Sequence, residues 1–127
     1  MATAREPAIR VVLLPRDTNE RGTIFGGVIL SHIDQAGAVE ACKRIRGKIV
    51  TVAMKEVIFE RPVHVGDVVS FYTSTSRIGR TSVSVHVDVV AQRRDGSGTD
   101  KVTQADVVYV AVDARGRPVP IRRGARR

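Results

Sequence analysis

Apolar and polar side chains alternate without a break through residues 81–90. Val83, Val85, Val87 and Val89 point one way, and Ser82, Ser84, His86 and Asp88 point the other. A period of two marks a strand with one buried face. Residues 49–59 (IVTVAMKEVIF) are equally β-branched and apolar but are interrupted by Lys55 and Glu56. Residues 67–76 and 106–112 read as two further strands, and 10–15 as a short first strand stopped by Pro15. The segment 93–100 (RRDGSGTD) is a hairpin loop between the third and fourth long strands.

One stretch has a different rhythm. Residues 28–46 contain no proline and only Gly37, and are long enough for about five helical turns. The preceding segment, 16–27 (RDTNERGTIFGG), is dense in turn formers and ends in Gly26-Gly27. Gly47 is well placed to end the helix, because glycine takes the left-handed conformation at no steric cost. Four long strands with short connections must pair largely antiparallel, and a single helix has only their apolar face to pack on. The pattern predicts an α+β fold, a curved antiparallel sheet wrapped round one helix. It shows no internal repeat and no domain boundary: residues 1–127 read as one domain, with a core of about 11–120 and a tail at 121–127.

On that helix, with Val28 at zero, Leu30, Ser31, Asp34, Gly37, Ala38, Ala41 and Ile45 share an arc of about 120°. Lys43, Arg44, Glu40, His32 and Gln35 lie outside it. Asp34 is thus set among apolar and very small residues with no cation on its arc. Gly37 and Ala38 would let a backbone or a thin ligand come close. Spacing does not decide between a solvated carboxylate and a working one. The Gly-Gly opening would present free N–H groups suited to an oxyanion, or would simply form a tight turn. Asn19 is equally at home as an Asx-turn residue.

Composition narrows the classes. No apolar run approaches the roughly 18–20 residues of a membrane span, and the N-terminus lacks the apolar core of a signal peptide. The single cysteine, Cys42, offers neither a disulfide nor CxxC metal spacing and reads as a core residue in a reducing, cytoplasmic setting. A net charge of +8 first suggests a polyanionic partner, but Arg115, Arg117, Arg122, Arg123, Arg126 and Arg127 account for six of those charges. The basicity is mostly a tail property, and nucleic acid is not the expected partner.

Taken in order, these blocks resemble a known family. PRDTNERGTIFGGVILSHIDQAG is similar to the active-site region of YciA-type and cytosolic acyl-CoA hydrolases, which are hotdog-fold thioesterases. The matching positions are Pro15, Asp17, Thr18, Asn19, Gly22, Ile24, Phe25, Gly26, Gly27, Asp34 and Gly37. FERPVHVGDVV, RIGRTSVSVHVDV and VVYVAVDARGRP resemble later blocks, so the likeness runs from about Val11 to Pro120. It implies a five- or six-stranded sheet round the helix, a homodimer with active sites at its interface, and a trimer of dimers.

Carried over by position, Asp34 is the catalytic carboxylate, as general base or nucleophile. Asn19 orients water or the carbonyl, and the Gly27 N–H joins the oxyanion hole. Phe25, Gly26, Arg80, Thr81, Ser82 and Arg61 fall in substrate-binding blocks, the arginines as partners for the phosphates of coenzyme A. The resemblance implies an acyl-CoA substrate, no metal and no cofactor.

Three other readings compete. A non-catalytic acyl-CoA-binding module would not need the retained acid, Asn19 and Gly-Gly. A hotdog dehydratase would want a paired histidine and acid, and His64 and His86 stand in no recognisable motif of that kind. Nucleic-acid binding would rest on the tail alone.

Overall fold

A computed structural model of the protein describes residues 5–121. The elements are β1 (Ile9–Val12), α1 (Gly26–Ala41), β2 (Lys48–Phe59), β3 (Val68–Ile78), β4 (Ser82–Gln92) and β5 (Thr99–Val112), with a 3-10 turn at Pro15–Asp17. The strands form one antiparallel sheet in the order β1-β3-β4-β5-β2. The helix packs against its face, on β3 and β4 with a lesser contribution from β5. This is the sheet-round-helix architecture that the hydrophobic pattern predicts.

The alternation in β4 holds at every position: Val83, Val85, Val87 and Val89 are fully buried and their polar neighbours are not. Burying such a side chain contributes on the order of 1.5–3 kcal/mol, so this single strand anchors the core. β5 starts well before residue 106. Thr99–Ala105 is too polar to stand out as a strand, but β4 pairs with it from Gln92↔Thr99 onward, and its Val102 and Thr103 are buried. Tertiary pairing overrides weak local propensity here. β1 is correspondingly shorter than expected, because Pro15 opens a 3-10 turn instead of merely stopping a strand.

Lys55 and Glu56 do interrupt β2, as a bulge. The register against β5 shifts between Lys55 and Ile58, and Glu56 takes φ = 54°, the left-handed region that a side chain rarely enters. β2 is an edge strand. Val50, Val52, Ile58 and Phe59 on it are exposed.

The helix begins at Gly26 and ends at Ala41, earlier than the expected 46. Looser turns carry the chain on, with the amides of Lys43 and Arg44 bonded to Glu40 and Ala41. Gly47 is left-handed as expected, at φ = 94°, but six residues past the last helical residue, Ala41.

The buried stripe is Ile29, Ile33, Ala36, Gly37, Glu40 and Ala41, rotated from the arc that the sequence suggests. Glu40, expected outside, is only 6% exposed. Its carboxylate accepts from the Thr75 hydroxyl at 2.7 Å and meets Lys43 and Arg44 at 3.4 Å. Burial opposes its ionisation, but the Thr75 bond and the two cations outweigh that and hold the carboxyl below its ordinary range. Cys42, expected in the core, is exposed at the end of the helix. Both corrections follow from the rotation, which sets Asp34 on the flank of the helix.

Candidate active site

Asp34 is partly buried on that flank, facing β2 and β5. The Thr51 hydroxyl of β2 donates to its Oδ1 at 2.8 Å. The Tyr109 hydroxyl of β5 donates to its backbone carbonyl at 2.7 Å, and stands 3.3 Å from the same Oδ1. Thr51 and Tyr109 are direct partners in the β2–β5 register, so two adjacent strands converge on one carboxylate. Neither was singled out by sequence. The available signal was Tyr109 itself, a tyrosine in the run DVVYVAV whose buried hydroxyl must find an acceptor.

Gly37 has a definite task. A Cβ there would collide with the Tyr109 hydroxyl and stand 3.1 Å from two ring carbons. The small residue admits a side chain from the sheet, and not the backbone or ligand that helix spacing suggested. The Tyr109 hydroxyl is pushed far above its ordinary range, first by burial and then by the Asp34 charge, and it therefore remains a donor. His32 points away, its Nδ1 donating to the Val28 carbonyl at 2.9 Å and its ring stacking on Phe71 at 5.6 Å.

Asn19 is held in a tight turn. Its Oδ1 accepts from the backbone N–H of Arg21 at 2.8 Å and of Thr23 at 3.2 Å, and its Nδ2 donates to the Thr23 hydroxyl at 2.9 Å. The Asx-turn reading is therefore correct. The second amide proton of Nδ2 has no partner among the described residues and can still serve a ligand.

Phe25 precedes the helix and gives it no side-chain cap, so the first-turn N–H groups at Gly26 and Gly27 are not consumed by one. Beside them lies a cavity of about 320 Å³, lined by Ile24, Gly26, Ile29, Phe59, Glu60, Arg61, Pro62, Val63 and Thr103. Gly26 and Arg61 thus meet at one cavity. Phe25 is exposed next to it, its ring at van der Waals distance from where a Cβ of Gly27 would be.

Arg80 and Thr81 lie in the β3–β4 turn and Ser82 opens β4, with Arg80 exposed and its carbonyl held by the Ile121 amide at 2.9 Å. That turn is at the Ser82–Val110 end of the sheet, whereas Arg61 follows the Phe59–Thr103 end. One chain therefore does not bring its two candidate arginines together. Arg122, Arg123, Arg126 and Arg127 lie outside the described residues.

A histidine paired with acid does exist. His86 contacts Asp106 at 2.8 Å and Asp88 at 3.0 Å. Burial works against its protonation, but the two carboxylates outweigh it and raise the imidazole above its usual range. It lies on the sheet face opposite the buried valines, away from the helix, and so is not the pair a dehydratase needs. Among the described residues, no group of three or more His, Cys, Asp or Glu could hold a metal ion, and no helix is long and apolar enough to cross a membrane.

The family model of the thioesterase superfamily matches residues 21–96, from the segment before the helix through β4. The acyl-CoA thioester hydrolase YciA of Salmonella typhimurium is 41% identical over 120 residues, 91% of this chain and 90% of that protein. A hexameric hotdog fold thioesterase of Campylobacter jejuni superposes with a TM-score of 0.87 at 45% identity, covering 92% of this chain and 90% of that one. HI0827, a hexameric broad specificity acyl-coenzyme A thioesterase, superposes at 0.88 with 35% identity, covering 98% and 86%. With its single helix wrapped by five antiparallel strands, the chain has the hotdog fold and belongs to the thioesterase superfamily.

Proposed function

We propose that this protein hydrolyses acyl-CoA thioesters to the free acid and coenzyme A, with Asp34 as the catalytic carboxylate. The observation that carries this is the anchoring of Asp34: Oδ1 is held by a hydroxyl on the adjacent strand, and Oδ2 has no partner among the described residues. A thioester carbonyl is already electrophilic and its thiolate leaves easily. One oriented carboxylate with preorganised donors is therefore sufficient, with water as the only co-reactant. Oδ2 takes the proton of an attacking water or attacks the carbonyl itself. Asn19 aligns the water or carbonyl through its remaining amide proton, and the Gly27 N–H receives the developing oxyanion.

Helix geometry says how these groups combine. Seven residues separate Gly27 from Asp34, about 10 Å along the axis, too far for both to touch one carbonyl from the same chain. A homodimer resolves this by supplying the acid from one protomer and Asn19 and Gly27 from its partner. β2 is the natural seam, because its open edge and exposed Val50, Val52, Ile58 and Phe59 are what an edge strand otherwise has to hide. Association of three such dimers would give the hexamer described for relatives. The lone Cys42 suits a reducing compartment, the cytoplasm.

Mixing subunits tests the shared site. Asn19→Ala and Asp34→Asn proteins, each impaired in a thiol-release assay, should recover activity after subunit exchange, since half the sites in a mixed dimer are then intact. Exchange verified by native mass spectrometry without recovery would rule out sites built from two chains.

Arg80 and Arg61 are the proposed cations for the phosphates of coenzyme A, one from each end of the sheet and so from different protomers. Arg80→Ala should raise KM several-fold for an acyl-CoA while leaving the corresponding acyl-pantetheine, which lacks the nucleotide, almost unaffected. An equal change for both substrates would remove Arg80 from nucleotide recognition.

A further inference from the structure

We propose that Tyr109 is a positioning residue for the hydrolysis, fixing Asp34 with Oδ1 anchored and Oδ2 presented to the substrate. This rests on the assignment of Asp34 as the catalytic carboxylate.

The hydroxyl of Tyr109 is buried on a stretch of β5, Val107–Val112, whose other residues are valine and alanine, and the residue is 0% exposed. It bonds to the one residue of the helix that carries the chemistry. The Asp34 carbonyl it reaches, at 2.7 Å, belongs to an interior helical residue, whose carbonyl is normally satisfied by the amide four residues on. The helix therefore does not depend on the tyrosine for this bond, and what the bond adds is the placement of Asp34 against the sheet. The longer contact to Oδ1, at 3.3 Å, supports the Thr51 hydroxyl on the same oxygen.

Gly37 is the second, independent observation. Glycine in a helix interior costs about 1 kcal/mol relative to alanine. Gly37 has ordinary helical geometry, being absent from the glycines with positive φ, so the backbone does not require it. The steric reason is the tyrosine: the three atoms nearest the missing Cβ all belong to Tyr109. The chain thus accepts a weaker helix three residues after its acid in order to admit this hydroxyl.

The tyrosine acts as a fixed donor. Burial and the neighbouring carboxylate keep it protonated, so it neither takes up nor releases a proton during turnover.

Tyr109→Phe keeps the ring and its packing and removes only the hydroxyl. In steady-state hydrolysis of an acyl-CoA, kcat should fall about tenfold while KM stays within twofold. In the Asp34→Asn background the same substitution should cause no further loss, because the residue it positions is already disabled. An unchanged kcat in Tyr109→Phe overturns the proposal, and so does an equal fold-loss with and without Asp34. Gly37→Ala supplies the same test with the tyrosine kept: displacing the hydroxyl should lower kcat at constant KM. Its effect should be smaller when Tyr109 is already phenylalanine, and equal effects in both backgrounds again overturn the proposal. If instead Asp34→Asn itself retains full activity, the assignment of the acid has failed, an outcome separate from a silent Tyr109→Phe.

Discussion

Asp34→Asn should fold and assemble like the parent while hydrolysis of every acyl-CoA falls by about three orders of magnitude, within the 10²–10⁴ expected for a lost general base. Asparagine is nearly isosteric, and its carbonyl oxygen can still accept from Thr51 at the position Oδ1 occupies. The Tyr109 bond to the backbone carbonyl is untouched. What disappears is the anionic carboxylate that Thr51 orients, so neither water activation nor direct attack by that group remains. The measurement is thiol release over a series of chain lengths, with circular dichroism and mass to verify fold and assembly. Near-full turnover on every substrate would sink the assignment of Asp34, whichever of the two chemistries it performs.

The largest effect on stability is expected at Asp67, far from the acid. It is 2% exposed, yet its carboxylate accepts three bonds. Oδ2 takes the His64 amide at 2.9 Å and the Arg93 guanidinium at 2.7 Å, and Oδ1 takes the Arg94 amide at 3.1 Å. Arg93 is itself largely buried, and bonds Asp100 and the Pro62 carbonyl as well. One carboxylate therefore ties the turn before β3 to the β4–β5 hairpin. Asp67→Ala would leave two amides and a guanidinium short of a partner, at a cost of about 3–5 kcal/mol in chemical denaturation. A loss below about 1 kcal/mol would show that water replaces the carboxylate freely.

The same group gives a pH dependence. Burial opposes the charge of Asp67, but the His64 amide, the Arg93 guanidinium and the Arg94 amide prevail and lower its pKa below the ordinary 3.8. A depressed folded pKa contributes stability that is present above the unfolded value and lost as pH falls through the folded one. Glu40, lowered for similar reasons, acts in the same direction. The parent should accordingly lose stability below about pH 4, and Asp67→Ala should lose less over that interval.

Much of this was readable from the chain. The valine alternation of β4 determines which face of the sheet is buried, because a period of two admits no other arrangement. The absence of proline, and of any glycine but Gly37, between Gly27 and Gly47 points to one long helix, and the ordered motif blocks point to the family and to Asp34. These are local properties, or properties of residue order, and need no coordinates.

The rotation of the helix was decided only in three dimensions. Its apolar residues are spread widely enough that small alanines and Gly37 fit the core as well as leucine does. Which arc faces inward is settled by what the sheet offers opposite it: Thr73 and Thr75 for Glu40, and Tyr109 for Gly37. The same contacts turn Cys42 outward and leave Asp34 on the flank. Thr51 and Tyr109 are 58 residues apart in sequence and become one clamp only because the β2–β5 ladder pairs them. Residue order pointed to Asp34 as the candidate acid; tertiary structure decided which of its oxygens is held, because hydrogen bonds between distant strands depend on register, and register belongs to the sheet as a whole.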